Sequence, residues 1–435
     1  MLVRDLRRSR DGLMTRVSAT VEWEQADRTP EPLHFAVGDG FADDLAPNPN
    51  AMLLATIMPA MHHGEDRVRV DGAICPRLRD GLVVALDRLW HATGRSRARP
   101  VAIETTEGFA PPTPRHPERT ASFMSGGVDA LAALRRNRLS YPPDHPGAIA
   151  DCMLVHGFDF GGPGDPDLGR DRFERDRVAL EKLTRSADAN LLCVETNLRR
   201  LEAPGLCFPI ESCGAALGAV AHACSGRLTE AVAGSSAAIR DGGPAAQHPL
   251  IDPSFTSSSA VTLRQDGAWS GRLDKIRLLS DWPEALDVLH CCNDPQIASG
   301  AVNCGACEKC LLTMTELLVC GSLDRCSTFE ADDVSADQIV RLSGTPPAEL
   351  PAEHLEALRA EMFHIDASGY DAWHDLIEPL ERTGRRDLAS AVSSLLRECD
   401  RHHAWVEQRD WKGRIRRLDA RWLNGTLTRL AGVGR

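Results

Sequence analysis

Apolar and polar positions change period several times along this chain of 435 residues. Val17, Ala19, Val21 and Trp23 alternate with polar neighbours, as do Val68 and Val70, which predicts half-buried strands. Met52 to Met61 and Leu78 to Leu89 are apolar at helical spacing. Residues 1–117 therefore read as an α+β module. Pro111, Pro112, Pro114 and Pro117 close it as a linker, because prolines at that density continue neither a helix nor a central strand.

From 118 to 330 short apolar runs alternate with amphipathic ones. The pattern predicts strands at 120–124, 150–155, 190–195, 229–233, 259–264 and 285–290. It predicts helices at 129–138, 171–187, 210–224 and 271–279. Strand–helix alternation implies an α/β fold with a doubly wound, mainly parallel sheet. Ligands of such sheets bind beyond the C-terminal ends of the strands. Small and polar groups gather at those ends: Ser125-Gly126-Gly127 after the first strand and His156-Gly157-Phe158-Asp159 after the second. Thr196-Asn197 follows the third and Gly234-Ser235-Ser236 the fourth. Past 331, Pro346, Pro347 and Pro351 interrupt the chain, and 331–435 reads as a helical region.

Composition adds bounds. Charged residues make up 26% and hydrophobic residues 43%, a globular balance that excludes wholesale disorder. No apolar run is long enough for a signal peptide or a membrane span, so the expectation is a soluble cytoplasmic protein. The net charge of −12 argues against a broad nucleic-acid surface. The last 25 residues depart from it, with seven basic residues against the single acid Asp419. There Trp411, Ile415, Leu418 and Trp422 form an amphipathic seam with arginines opposite. Two readings stand: the seam packs on the acidic body, or it meets an anionic partner such as RNA, a nucleotide-bearing protein or a membrane surface. A homo-oligomer is compatible with all of this.

The candidate chemistry begins at Ser122-Phe123-Met124-Ser125-Gly126-Gly127-Val128-Asp129-Ala130. A strand that turns through Ser-Gly-Gly into a helix makes an anion site, because the first helical N–H groups have no intrahelical partner and the dipole favours negative charge. Asp129 stands where a divalent cation bridging phosphates needs an oxygen ligand. An ordinary strand–helix turn is the plain alternative. Arg272 and Lys275 lie three apart at the start of a helix, on one face, and suit a transferring phosphate or a carboxylate as well as a solvated surface. Gln247-His248-Pro249-Leu250-Ile251-Asp252 places a His and an Asp in a proline-bounded loop for a second substrate. The loop Gly161 to Pro166 reads as a plain connection.

Fourteen cysteines are present. Cys152, Cys193, Cys207, Cys213, Cys224 and Cys320 lie in apolar runs and read as small core residues. Cys304, Cys307 and Cys310 are spaced C-x-x-C-x-x-C, and a fourth thiolate upstream closes a tetrahedral site. Structural zinc, an iron–sulfur cluster and a redox dithiol all suit that spacing, and zinc is the leading reading. Cys292 is taken as the fourth ligand, with Cys291 turned into the core.

The words Ser-Gly-Gly-Val-Asp resemble the pyrophosphate-binding loop of the N-type ATP pyrophosphatases, the PP-loop superfamily. That pattern continues with Ser or Thr, where this chain has Ala130, which removes one side-chain donor and leaves the backbone cradle. Joined to the downstream Cys cluster, the loop resembles the 7-cyano-7-deazaguanine synthases and their relatives. The similarity covers about Arg119 to Cys326. It implies an adenine nucleotide alpha hydrolase-like fold, with ATP, Mg²⁺ and Zn²⁺ as cofactors. Ser125, Gly126, Gly127, Val128, Asp129 and His156 would bind the nucleotide. Asp129, Arg272 and Lys275 would carry catalysis. Cys292, Cys304, Cys307 and Cys310 would hold zinc. The implied reaction is adenylation of an unidentified acid or amide, releasing pyrophosphate, followed by attack of ammonia or an amine. Adenylation-dependent sulfur transfer to a nucleobase, and a nucleotide-binding interaction protein without turnover, remain as alternatives.

Overall fold

A computed structural model describes residues 1–92, 101–112, 118–158, 169–203, 208, 212–236, 248–258, 261–292, 301–342 and 367–401. Asp159, Gly161 to Pro166, Cys207, Gln247 and the basic tail lie outside the described residues, as do 113–117 of the expected linker. The chain forms two compact units. The first comprises Met1–Cys291, Gly300–Asn303 and Arg325–Thr328, and the second Cys292–Ser299, Cys304–Asp324 and Phe329–Arg435.

The first unit is built on one ten-stranded mixed sheet. Its first five strands are β1 (Leu2–Asp11), β2 (Met14–Glu22), β3 (Glu31–Gly38), β4 (Arg67–Val70) and β5 (Ala102–Thr105). The other five are β6 (Thr120–Phe123), β7 (Ile149–His156), β8 (Asn190–Thr196), β9 (Glu230–Gly234) and β10 (Thr262–Asp266). The spatial order is β10-β9-β6-β7-β8-β3-β2-β1-β4-β5. The pairs within β10-β9-β6-β7-β8 are all parallel, as are β1–β4 and β4–β5. The pairs β1–β2, β2–β3 and β3–β8 are antiparallel. Phe35, Ala36 and Val37 of β3 face Thr196, Glu195 and Val194 of β8, so the sheet runs without a break between strands from either side of residue 117.

Local chemistry explains the principal elements. β2 buries Thr15, Val17, Ala19 and Val21 and turns the intervening residues outward, the period-two pattern of a strand with one buried face. Helix α1 (Pro49–His63) begins at Asn48, whose side chain accepts from the Asn50 N–H, with Pro49 in the first turn. Every residue from Asn50 to Met61 is buried, so α1 is a core helix. Helix α2 (Pro76–Ala92) follows. β1 escapes sequence reading because most of its residues are exposed and charged, and a register shift between Arg4 and Arg7 breaks its alternation.

In the parallel half the chain runs from β6 through α3 (Val128–Ser140) to β7, then through α4 (Arg170–Ser186) to β8. It crosses back through α5 (Cys213–Ala223) to β9, on the opposite side of β6, and continues to β10 and α6 (Arg272–Ser280). Progress along the sheet therefore reverses between β6 and β9, the kind of switch point where α/β sheets open a crevice. The run 285–290, expected as a strand, is not one. Pro283–Leu286 is a short helix, α7, because Pro283 sits at its first position with φ preset for helix and no N–H to lose.

In the second unit the described residues are helical in the main. Helix α8 (Glu308–Val319) follows the clustered cysteines. Helix α9 (Ala336–Arg341) starts with a reciprocal capping box between Ser335 and Gln338. Three more helices span Ala367–His374, Ile377–Arg382 and 386–401. Trp373 Nε1 donates to Glu308 Oε1 at 2.8 Å and ties the first of these to the start of α8.

Candidate nucleotide crevice and cysteine centre

The loop leaves β6 still tied to β7, with the Met124 N–H donating to Met153 O at 2.8 Å. Ser125 is exposed, and its Oγ accepts from the Gly127 N–H at 3.3 Å. Gly126 has φ +79°, a conformation that side chains rarely adopt. Gly127 is the N-cap of α3 and offers no side-chain cap. The first intrahelical bond runs from the Leu131 N–H to Gly127 O. The N–H groups of Val128, Asp129 and Ala130 thus end the helix without intrahelical acceptors. Val128 and Ala130 are buried, and Asp129 is partly open to solvent.

Asp129 and Lys275 meet here. Lys275 Nζ donates to Asp129 Oδ1 at 2.7 Å and also to Ser235 O. The Lys275 side chain is 1% exposed and that of Asp129 is 27% exposed. A buried ammonium is tolerated only with such partners. The ends of β9 and α3 are in close approach: a Cβ on Gly234 would lie 2.4 Å from Asp129 O, so only glycine fits there. The Ser235 N–H donates to Asp266 O at 2.8 Å and fixes the carbonyl that receives Lys275. The switch point between β6 and β9 therefore holds an uncapped helix end, a carboxylate and a buried cation.

The other expected residues fall as follows. Arg272 is the first residue of α6, half-buried, one turn before Lys275. His156 ends β7 and is 3% exposed, its ring edge-on to Phe173 of α4 with centroids 5.0 Å apart. His248 and Asp252 bond each other, His248 N–H to Asp252 Oδ1 at 3.2 Å. The buried Asp252 also accepts from Gln265 Nε2 at 2.6 Å, which ties that loop to β10. Burial, with the Arg88 charge second, holds the His248 imidazole below its ordinary range.

Sequence reading missed the back of the loop. The His290 N–H donates to Gly126 O at 2.9 Å. His290 Nδ1 lies 2.8 Å from Asp176 Oδ2, and Arg172 reaches its Nε2. These residues come from α4 and from the segment after α7, and no spacing in the sequence joins them to residue 126.

The cysteine centre lies in the second unit. One Sγ each of Cys292, Cys304, Cys307 and Cys310 lie within 4.8 Å of one another, a group that can hold a metal ion. Cys304 Sγ is 3.7 Å from Cys310 Sγ, and Cys292 Sγ is 4.0 Å from Cys307 Sγ. A tetrahedral ion with metal–sulfur bonds of about 2.3 Å sets its sulfurs about 3.8 Å apart, so the spacing fits zinc. The N–H groups of Ala306 and Cys307 point to Cys304 Sγ at 3.4 and 3.2 Å, donors that favour a thiolate. Cys291 is absent from the group; its Sγ lies 3.4 Å from Asn303 Oδ1 in the first unit.

Comparison with protein-family models, with curated proteins and with solved structures finds no match.

The arrangement at the β6/β9 switch point has groups that suit a phosphorylated ligand: backbone donors aimed out of a helix end, a carboxylate suited to a divalent cation, and an adjacent ammonium. A sulfur carrier needs a thiol that ionises readily. Cys152, Cys193 and Cys224 are not of that kind, because burial pushes each thiol up to about 12. Among the described residues, no helix is long and apolar enough to cross a membrane.

Proposed function

We propose that this chain is an ATP-dependent ligase of the PP-loop type that adenylates a carboxylate or amide and releases pyrophosphate. The observation that carries the reading is the Asp129–Lys275 pair at the switch point between β6 and β9. The backbone N–H groups of Ser125 to Asp129 bind the β- and γ-phosphates. Asp129 would hold Mg²⁺, which would neutralise phosphate charge when bound. Lys275 and Arg272 would face the charge that develops at the α-phosphorus. The substrate oxygen attacks that phosphorus, pyrophosphate leaves, and ammonia or an amine displaces AMP from the activated acyl or imidoyl group. Such chemistry demands positioning and charge neutralisation more than a strong base.

In this reading Zn²⁺ occupies Cys292, Cys304, Cys307 and Cys310 and holds the turn before α8; the sulfur spacing supports it. A nucleotide-binding protein without turnover is the second reading. Ala130 favours it, since a buried methyl group stands where the PP-loop pattern has a hydroxyl. The deciding experiment supplies ATP, Mg²⁺, ammonia and pooled carboxylic acids and amides, and identifies the nucleotide product. AMP with pyrophosphate supports the ligase. ADP, or tight ATP binding with no product, overturns it.

A further inference from the structure

Asn303 sits one residue before the ligand Cys304 and is buried. Its Oδ1 accepts the Cys291 N–H at 2.9 Å. Its Nδ2 donates to Leu289 O at 2.8 Å and to Thr328 Oγ1 at 3.0 Å. Between Leu289 and Cys291 stands His290, whose own N–H donates to Gly126 O. The backbone groups of three successive residues are thus shared between one asparagine side chain and the peptide of the phosphate loop. Cys291 is joined by one peptide bond to Cys292, and Asn303 by one to Cys304. The two chain segments that Asn303 fastens together are therefore those from which two of the four thiols depart.

We propose that Asn303 is a positioning residue that links occupancy of the cysteine centre to the order of the Gly126 loop. A metal bound by Cys292 and Cys304 restrains the spacing of residues 291 and 303. That spacing is the one the Asn303 amide needs to span Leu289 O and Cys291 N–H. With it kept, His290 stays in register to hold Gly126 O. Without metal, that restraint on the amide is lost, and the His290–Gly126 bond opens more often. The inference rests on the cysteine centre binding metal and not on any nucleotide chemistry.

Hydrogen exchange on the full chain, with Zn²⁺ bound and after chelation, tests it. Zinc content is measured in the same samples. Chelation is expected to speed exchange of the His290 amide about tenfold, the scale of one buried hydrogen bond, and to loosen 124–131. Amides within β7 keep their protection. In Asn303→Ala the difference between loaded and stripped protein collapses, and Zn²⁺ is lost to a competing chelator more readily. Asn303→Asp retains the acceptor for the Cys291 N–H and is expected to keep part of the difference, which covers the case in which the alanine variant does not fold. Protection at His290 that is indifferent to verified zinc loss overturns the link while the metal centre stands. A chain that takes up no Zn²⁺ overturns both.

Discussion

Lys275 reaches across from α6 to bind the first-turn aspartate of α3, and the lysine is the more deeply buried of the two. The pair holds together the two elements that flank the crevice. Removing Asp129 leaves the buried ammonium on the Ser235 carbonyl. Asp129→Ala is expected to fold, to lose AMP production, and to lose about 2 kcal/mol of stability, less than a fully buried pair because the carboxylate is partly solvated. Adding Lys275→Met to that variant should restore part of the loss. Urea denaturation of the two single variants and the double variant checks this. Strictly additive losses would show that the pair does not couple.

Ala130 is the position on which the two proposed readings, ligase and nucleotide binder, differ. It is 7% exposed, and a serine adds only one oxygen. Ala130→Ser is expected to raise AMP formation about tenfold, the scale of one hydrogen bond to a charged oxygen. Steady-state product analysis beside nucleotide affinity distinguishes the cases. A gain in affinity with no product would favour the reading as a nucleotide-binding protein without turnover.

The neighbouring cysteines give a sharp contrast. Metal analysis is expected to find about one zinc per chain, following four-thiolate stoichiometry. Cys291→Ser should keep that zinc, since its sulfur faces Asn303, whereas Cys292→Ser should lose most of it. Equal retention in both variants would remove Cys292 from the ligand set. Iron–sulfur absorbance without zinc would overturn the zinc assignment itself.

Stability should fall in two steps on acidification. Burial, with the Arg16 charge second, lowers the His34 imidazole to about 4 from an ordinary 6.5. The unfolded chain then binds the extra proton between those values, so stability is lost as pH falls from 6.5 toward 4. At Asp151, burial pushes the carboxyl upward, but hydrogen bonds from Arg119 and Arg227 outweigh it and hold the group below its ordinary range. Its contribution is complete above about pH 4 and disappears as pH falls through the lower folded value. His34→Gln should flatten the first step and Asp151→Asn the second, measured as denaturation midpoints against pH. An unchanged profile in His34→Gln would assign the first step to another group.

Much of the parallel half was legible, and the reasons are local. The expected strands near 120, 150, 190 and 229 coincide with β6, β7, β8 and β9, because each is a short apolar run bounded by turn residues. The glycine-rich turn into α3 was legible for the same reason. Strand order was not, since sequence periodicity carries no information on which strands become neighbours. The partners of a found residue were hidden too: spacing picked out Lys275, but only the fold brings it to an aspartate 146 positions earlier. His290 was missed, and Asn303 read only as a turn residue before Cys304, because both act through backbone bonds to residues distant in sequence. The run 285–290 misled because its apolar content suits either element, and Pro283 decided for helix.

The antiparallel seam between β3 and β8 has a consequence for dissecting the molecule. A fragment starting after residue 117 carries every residue of the loop, the crevice and the cysteine cluster, and looks from its motifs like a sufficient unit. It would nonetheless lay bare the backbone of Val194, Glu195 and Thr196, which Val37, Ala36 and Phe35 cover in the whole chain. Open strand backbone of that kind recruits other copies. The amino-terminal strands therefore serve as a molecular selvedge, keeping the parallel half from unravelling into aggregates.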